Sequence, residues 1–333
     1  MTIVHLCRRF YPDQGGVETH VLQIAKELRK RGHSQSVITS SNESDGVHDD
    51  ISVYRIPIPA SDNSVYYKFS VWRGIWKHFH LLKQADVIQV HDVFWWLLPF
   101  LLLLNRSKIF TTFHGYEPPG PPTKIQKFWH MFAHYLSNRT LGIGSIHDRW
   151  YGVRTDENSF GAVDTAIFSR SAIRRDTKGR IMFLGRLSAD IGIMQYLKAI
   201  LLKPMPMDVY GDGDQMQRAK EFVSQNHLPV TFMGSVPNAA RLIIRYDAVF
   251  ASSYLAIIEA LSVGRPIISF YDSALKRDYL LQSPFSKWIV AAKTPKEIVR
   301  ALTVMKSPPK EAIVWARQQT WSNLASTYER LWA

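Results

Sequence analysis

Cysteine is almost missing from this chain: Cys7 is its one representative. That excludes an internal disulfide framework and a cysteine-based zinc site. At the end of an apolar run, Cys7 reads as a small buried residue, and the redox compartment stays open, with the cytosol compatible. Long apolar runs are scarce as well. The longest, Val93 to Leu104, contains Pro99 and falls short of the ~20 residues that a spanning helix needs. It is expected to be a buried helix after a strand, with partial membrane contact as the lesser reading. No secretory leader is visible, since Met1 runs directly into an apolar strand pattern. Zinc-finger, RRM-type and basic-aromatic RNA signatures are all lacking, which makes nucleic acid the weakest of the candidate partners.

Acidic residues are also in short supply. Against 41 Lys and Arg stand 28 Asp and Glu, leaving a formal charge of +13 over 333 residues. The imbalance sits in the second half: up to Asp164 the excess is +3, and beyond it +10. An anionic ligand or an anionic membrane surface suits such a surplus, although a diffuse one is commonly a solvated face. Hydrophobic residues make up 46% of the chain, enough for a proper core, and the length fits two domains.

The most informative stretch is Phe10 to Leu28, FYPDQGGVETHVLQIAKEL. The apolar run Ile3–Leu6 before it predicts a buried strand. After Gly15 and Gly16 the apolar residues Val17, Val21, Ile24, Ala25 and Leu28 fall on one helical face. A strand, a glycine turn and a helix start present backbone N–H groups that attract anions, phosphate above all, and glycine lets a ligand approach the backbone. The spacing in Asp13-Gln14-Gly15-Gly16-Val17-Glu18 is not that of the G-x-G-x-x-G dinucleotide fingerprint. With its "GGVE" and its close in Lys30-Arg31-Gly32-His33, the stretch resembles the N-terminal signature of family 4 glycosyltransferases.

Further strands are predicted at Val37–Thr39, Ile51–Ile56, Val87–Val90, Ile109–Phe113 and Leu141–Ile143, separated mostly by helical patterns. This alternation argues for a largely parallel sheet covered on both faces. Ligands of such sheets bind beyond the carboxyl ends of the strands, which selects Cys7–Gly16, His91–Asp92, His114–Gly115 and Ser145. His114 can hydrogen-bond a sugar hydroxyl or a phosphate oxygen; its "TFHG" context resembles the family's active-site histidine. Eleven of twelve histidines precede Asp164, so most are incidental, and His91 is the weaker candidate. Two segments, Tyr66 to Lys83 and Lys124 to Arg139, combine cations with aromatic residues. In the first, Phe69, Trp72, Trp76, Phe79 and Leu82 form a stripe that either faces the sheet or lies in a membrane interface. Pro118 to Pro122 forms a stiff loop.

Gly161-Ala162-Val163-Asp164 resembles a family motif at the crossover, and the polar, basic Ser169 to Arg180 is the expected linker. Periodicity restarts at Ile181–Leu184, followed by Gly185-Arg186, which puts a guanidinium at the end of a strand, well suited to bidentate pairing with phosphate. Met207–Tyr210 with Gly211-Asp212-Gly213, and Val230–Met233 with Gly234, repeat the strand-and-glycine pattern. The resemblance implies that Arg186 and a lysine before the next glycine hold the donor diphosphate, but that lysine position carries Ile191. It also implies two glutamates seven residues apart. The second is Glu259, for the ribose hydroxyls; the first falls on Ala251 or is lost through a shortened loop. A helix start at Ser253 to Ala256 keeps N–H groups for phosphate.

The resemblance, carried by about five motifs in order, implies two doubly wound Rossmann-like α/β domains facing a cleft, the GT-B fold. The expected divisions are residues 1–168 for acceptor binding, a linker at 169–180, 181–314 for the nucleotide sugar, and 315–333 as a tail returning to the first domain. The implied activity is retaining, metal-independent transfer of a sugar from a UDP or GDP sugar to a glycan or lipid-linked acceptor, with no cofactor. His114 and Arg186 would be catalytic; Gly15, Gly16, Arg186, Gly213, Tyr254, Leu255 and Glu259 would bind the donor. Expected location is the cytoplasm, with attachment to the inner membrane face as an option. Ile191 and Ala251 keep open a catalytically silent nucleotide- or glycan-binding subunit, and the fold itself a sugar-nucleotide epimerase.

Overall fold

The computed structural model describes residues 1–13, 15–57, 65–116, 120–164, 179–236 and 239–333. The prolines at 118 and 119 and most of the expected linker lie outside these. The chain divides into two compact units. One comprises Met1–Tyr116, Pro122–Ser159 and Trp321–Ala333; the other comprises Glu117–Pro121 and Phe160–Thr320.

The first unit holds strands β1 (Thr2–Cys7), β2 (Ser34–Ser40), β3 (Gly46–His48), β4 (Ile51–Ile56), β5 (Val87–His91), β6 (Ile109–His114), β7 (Arg139–Ile143) and β8 (Glu157–Ser159). They form one sheet in the order β3-β4-β2-β1-β5-β6-β7-β8. All neighbours are parallel except β3 and β4. Parallel strands covered on both faces read as near-continuous apolar runs, and β1, buried from Ile3 to Cys7, does so.

The two faces differ. Val4, Leu6, Ile88, Val90 and Ile109 pack with Tyr67, Val71 and Ile75 of helix α2 (Val65–Lys77) in a dry apolar cluster. On the other side, Cys7 and Val37 meet Val21 and Ala25 of the helix Gly16–Lys30, which we number α1. This second side also carries a polar stripe: His5, Gln35, Gln89, His91 and Thr112, all buried, with His114 at its end. Strand alternation puts these residues on one face, because side chains two apart point the same way.

Other first-unit helices are α3 (Phe79–Gln84), α4 (Lys124–Leu136) and α5 (His147–Tyr151). The run expected as one buried helix behaves differently: Phe94–Phe100 is a 3-10 helix around Pro99. Its Trp96 and Leu97 are buried, while Leu102 is fully exposed. Proline has no N–H to continue an α-helical ladder.

The second unit has an all-parallel sheet of β9 (Ile181–Leu184), β10 (Met207–Tyr210), β11 (Val230–Gly234), β12 (Ala248–Phe250), β13 (Ile267–Phe270) and β14 (Val290–Ala292), ordered β11-β10-β9-β12-β13-β14. Its helices are α6 (Ile193–Leu202), α7 (Met216–Gln225), α8 (Tyr254–Ser262), α9 (Ala274–Leu281), α10 (Pro295–Val304) and α11 (Lys310–Gln318). Trp315, placed by sequence in the returning tail, packs in this unit against Phe285 and Trp288, with ring centroids 5.8 and 5.6 Å away. The chain rejoins the first unit only at α12 (Trp321–Trp332).

Helix α12 closes the polar stripe with a chain of hydrogen bonds. Trp332 Nε1 donates to Gln89 Oε1 at 2.9 Å, and Gln89 Nε2 donates to Thr112 Oγ1 at 3.0 Å. Thr112 and the Tyr328 hydroxyl lie 2.8 Å apart, as do Tyr328 and His20 Nε2. Indole N–H can only donate, so the direction is set at Trp332. Every hydrogen in the chain is used when Tyr328 donates to His20. We expect Tyr328→Phe to lower stability by ~1–3 kcal/mol, because it strands two buried polar groups. The shift of the urea midpoint would measure this; an unchanged midpoint would contradict the chain.

Candidate active site

Two groups of candidate residues exist, one in each unit. In the first, β1 and β5 end level and β6 runs two residues further: Cys7 pairs with His91, and His91 with Thr112, two residues before His114. The His114 amide donates to Asp92 Oδ1 at 2.9 Å. Asp92 itself takes the left-handed conformation, with φ 59°, and Gly115 follows at φ 75°. The two left-handed turns bring β5 and β6 each to a stop.

The half-buried ring of His114 meets His20 of α1 edge to face, with centroids 4.7 Å apart. Its Nε2 lies 2.9 Å from His91 Nδ1, and His91 Nε2 lies 3.1 Å from His5 Nδ1. Burial first, then neighbouring histidines, hold His91 and His114 well below the usual imidazole range. Burial likewise lowers His5 to about 4 and His20 to about 3. These rings are neutral near pH 7, because removing an imidazolium from water beside other histidines disfavours the charged form.

Gly15 caps α1 with extended backbone and no side-chain cap. Glu18 folds back over it, so that a Cβ at Gly15 would collide with the Glu18 carboxylate. A carboxylate already complements this helix start. Gly16 faces open space.

In the second unit the loops after β9 and β10 are clasped. Leu187 N–H donates to Asp212 O at 2.9 Å, and Gln215 N–H to Leu187 O at 2.9 Å. Gly211 (φ 137°) and Gly213 (φ 158°) have no room for a Cβ against the carbonyls of Gly185 and Leu187. Gly213 therefore serves loop packing, and through it the placing of Arg186. Arg186 is exposed; its Nε donates to Ser188 Oγ at 3.2 Å, and its guanidinium lies 3.5 Å from Asp190. Asp212-Gly213-Asp214 has Asp-x-Asp form. Asp212 Oδ1 accepts from the Gly213 amide at 2.7 Å, and among the described residues no group of three or more His, Cys, Asp or Glu could hold a metal ion.

Sequence reasoning overlooked Lys276. This side chain of α9 is buried, donates from Nζ to Ser252 O at 2.5 Å and lies 4.5 Å from the Tyr279 ring centroid. Burial lowers it to about 8, partly offset by Asp190 and Asp272, and Arg186 also pushes it down. A second cation thus feels the charge of Arg186. Ile191, by contrast, packs into the apolar core, and Ala251 is wholly buried at the end of β12.

Helix α8 begins beside Ser252. Its Tyr254 is committed to packing rather than to an open surface. The ring stacks on Tyr279 at 3.8 Å, the hydroxyl donates to Tyr279 O at 2.6 Å, and the amide donates to Tyr279 Oη at 3.1 Å. The first free amides of the helix start are accordingly those after Tyr254. Leu255 is half-buried and its Cδ2 fills the space beside Gly161.

One turn on, the half-buried Glu259 carboxyl makes no hydrogen bond or ion pair with any described residue. Burial, and then the Asp164 carboxylate, raise it to about 8. A raised carboxyl binds its proton more tightly in the folded state than in the unfolded one. The folded state therefore loses stability as pH rises from about 4.5 to about 8, by at most ~1.4 kcal/mol per pH unit. We expect Glu259→Gln to flatten that fall, read as the change in urea midpoint between pH 5 and pH 8 relative to wild type; parallel profiles would contradict it.

The family model described as Glycosyltransferase Family 4 matches residues 14–151. No curated protein sequence matches the chain. Among solved structures, sucrose-phosphate synthase from Thermosynechococcus elongatus superposes with a TM-score of 0.72 at 14% identity, over 99% of this chain and 98% of that one. HepE from Anabaena, solved with UDP and glucose, gives 0.71 at 14% identity, over 99% and 98%. WaaG, a glycosyltransferase of lipopolysaccharide biosynthesis, gives 0.66 at 11% identity, over 98% and 95%. Identities this low speak for the fold. The chain has the GT-B fold, and its likeness to Glycosyltransferase Family 4 spans residues 14–151.

Proposed function

We propose that this protein transfers a sugar from a nucleoside-diphosphate sugar, UDP- or GDP-linked, to an acceptor hydroxyl with retention of configuration and without a metal. The observation that carries the reading is the set at the carboxyl ends of the second sheet: exposed Arg186 after β9, buried Lys276 on Ser252 O after β12, and the Glu259 carboxyl on α8, which has no partner among the described residues. A guanidinium backed by a second cation suits a diphosphate, and a carboxyl with free lone pairs suits paired ribose hydroxyls. HepE, solved with UDP-glucose, has the same fold. Stabilising the leaving diphosphate would be the main catalytic term, acting through Arg186 and Lys276. His114 would orient the sugar. Ile191 and Ala251, both buried and uncharged, favour a second reading, a nucleotide-binding relative without turnover.

The acceptor is a glycan or a lipid-linked one, and an exposed face of the first unit supports membrane docking. Helix α2 turns Tyr67, Val71 and Ile75 to the core, leaving Phe69 and Trp76 about 60% exposed. Only Ala133 of α4 is fully buried, while Ile125, Phe128, Met131 and Tyr135 are exposed. Phe79 and Leu82, grouped by sequence with the exposed stripe, are core residues. Lys68, Lys77, Lys124 and Lys127 stand among these aromatics, exposed. Cations interleaved with aromatics fit an anionic interface.

Two measurements test these readings. Calorimetric titration with UDP should show binding that Arg186→Ala weakens ~10–100-fold, the worth of a charged hydrogen bond. No binding by the wild type of UDP, or of GDP titrated in its place, would end the transferase reading, and binding without donor hydrolysis would select the silent relative. In sedimentation with vesicles containing anionic lipid at low salt, the wild type should pellet and a Phe69→Ala, Trp76→Ala, Phe128→Ala variant should remain in solution. Equal pelleting would remove the membrane contact.

A further inference from the structure

Three imidazoles stand in a row under α1, and the transfer outlined above asks for only one of them. Gln35 Oε1 lies 2.9 Å from His5 Nε2. His5 Nδ1 lies 3.1 Å from His91 Nε2, and His91 Nδ1 lies 2.9 Å from His114 Nε2. Gln35, His5 and His91 are buried, with exposures of 3% or less. A neutral imidazole has one N–H and one lone pair, so a row of neutral rings behaves as a unit. If one ring turns its proton to the other nitrogen, each of the rest must follow or lose a hydrogen bond in a place without water. Losing one there leaves a buried polar group unsatisfied.

The direction is set where the row ends in the core. A carbonyl oxygen cannot donate. With Gln35 Oε1 facing His5, the proton of His5 sits on Nε2, that of His91 on Nε2, and that of His114 on Nε2. The atom left over is His114 Nδ1, carrying a lone pair and meeting no described residue.

We propose that Gln35, His5 and His91 are positioning residues that lock His114 with its proton on Nε2, so that Nδ1 accepts a hydrogen bond from a ligand hydroxyl. This rests on the reading that His114 faces the sugar. It adds a specificity: the atom offered selects an O–H donor and rejects a phosphate oxygen, which can only accept near neutral pH. The row is independent of the chain that runs from Trp332 to His20, which reaches a different ring.

Long-range nitrogen–proton correlation spectra of the 15N-labelled wild-type protein at pH 7 test the inference directly. Expected are protonated Nε2 and bare Nδ1 for His5, His91 and His114 alike. A protonated Nδ1 at His114, or averaging between the two forms, overturns it. In Gln35→Met the acceptor is gone, and His114 should average between tautomers; a purely structural role for Gln35 would leave its pattern unchanged, which also overturns the proposal. His5→Phe interrupts the row one step later with the same expected result, should the first variant not fold. If UDP-glucose turns over, Gln35→Met should lower kcat ~10–100-fold, as losses of orienting partners do, with KM little changed. Nucleotide binding is followed separately with UDP and with GDP: failure of both ends the transferase reading, whereas a reversed His114 in a protein that binds either one ends this inference alone.

Discussion

A polar group hidden from water must find a partner or cost the fold several kilocalories, and the first sheet accepts that constraint along one whole face. His5, Gln35, Gln89, His91 and Thr112 could not lie between a sheet and two helices as isolated side chains. Two directed chains of hydrogen bonds satisfy most of them, one ending at His114 and the other at His20. The apolar face opposite needs no such arrangement, since aliphatic and aromatic side chains there need only fill volume. Directionality is what the polar face gains. Apolar packing tolerates small rotations, but a ring bonded through both nitrogens keeps its plane and its proton position.

The second unit solves its placement problem with backbone instead. Glycines at positive φ let the loops after β9 and β10 lie in contact, and mutual amide-to-carbonyl bonds hold them. Arg186 leaves that clasp with its guanidinium in water, guided by Ser188 and Asp190. Lys276 approaches from α9, so the two cations are carried by elements that are separate in the chain. Mutual repulsion between them is tempered by Asp190, which acts on both. Such a balance leaves positive potential beyond the strands while keeping the unliganded protein stable.

Much of this was legible in the residues. Mostly apolar runs such as Ile3–Leu6, Ile109–Phe113 and Ile267–Phe270 form buried parallel strands, as the physics of a two-sided sheet requires. The three-residue strands β3, β8 and β14 escaped notice, because three residues at a sheet edge carry no periodicity to read. Gly213 was visible as a glycine, but its reason, collision with Leu187 O, depends on a loop that follows a different strand. The packing of Tyr254 depends on Tyr279, 25 positions on, which no local pattern at the start of α8 announces. Gln35 lies 30 positions from His5, and Tyr328 lies 308 from His20. Pairings at such separations leave no local pattern, and a buried lysine such as Lys276 looks in sequence like any surface cation.

Helix α12 carries a consequence for the order in which the molecule can be made. Its Tyr328 and Trp332 satisfy polar groups of strands that leave the ribosome more than two hundred residues earlier. Until those last turns emerge, α1 alone covers the histidine face of the first sheet, and Gln89 and Thr112 face solvent or a chaperone. The second unit, contiguous from Phe160 to Thr320 apart from one short outlying segment, has no comparable wait. The half that is translated first is therefore the half that matures last.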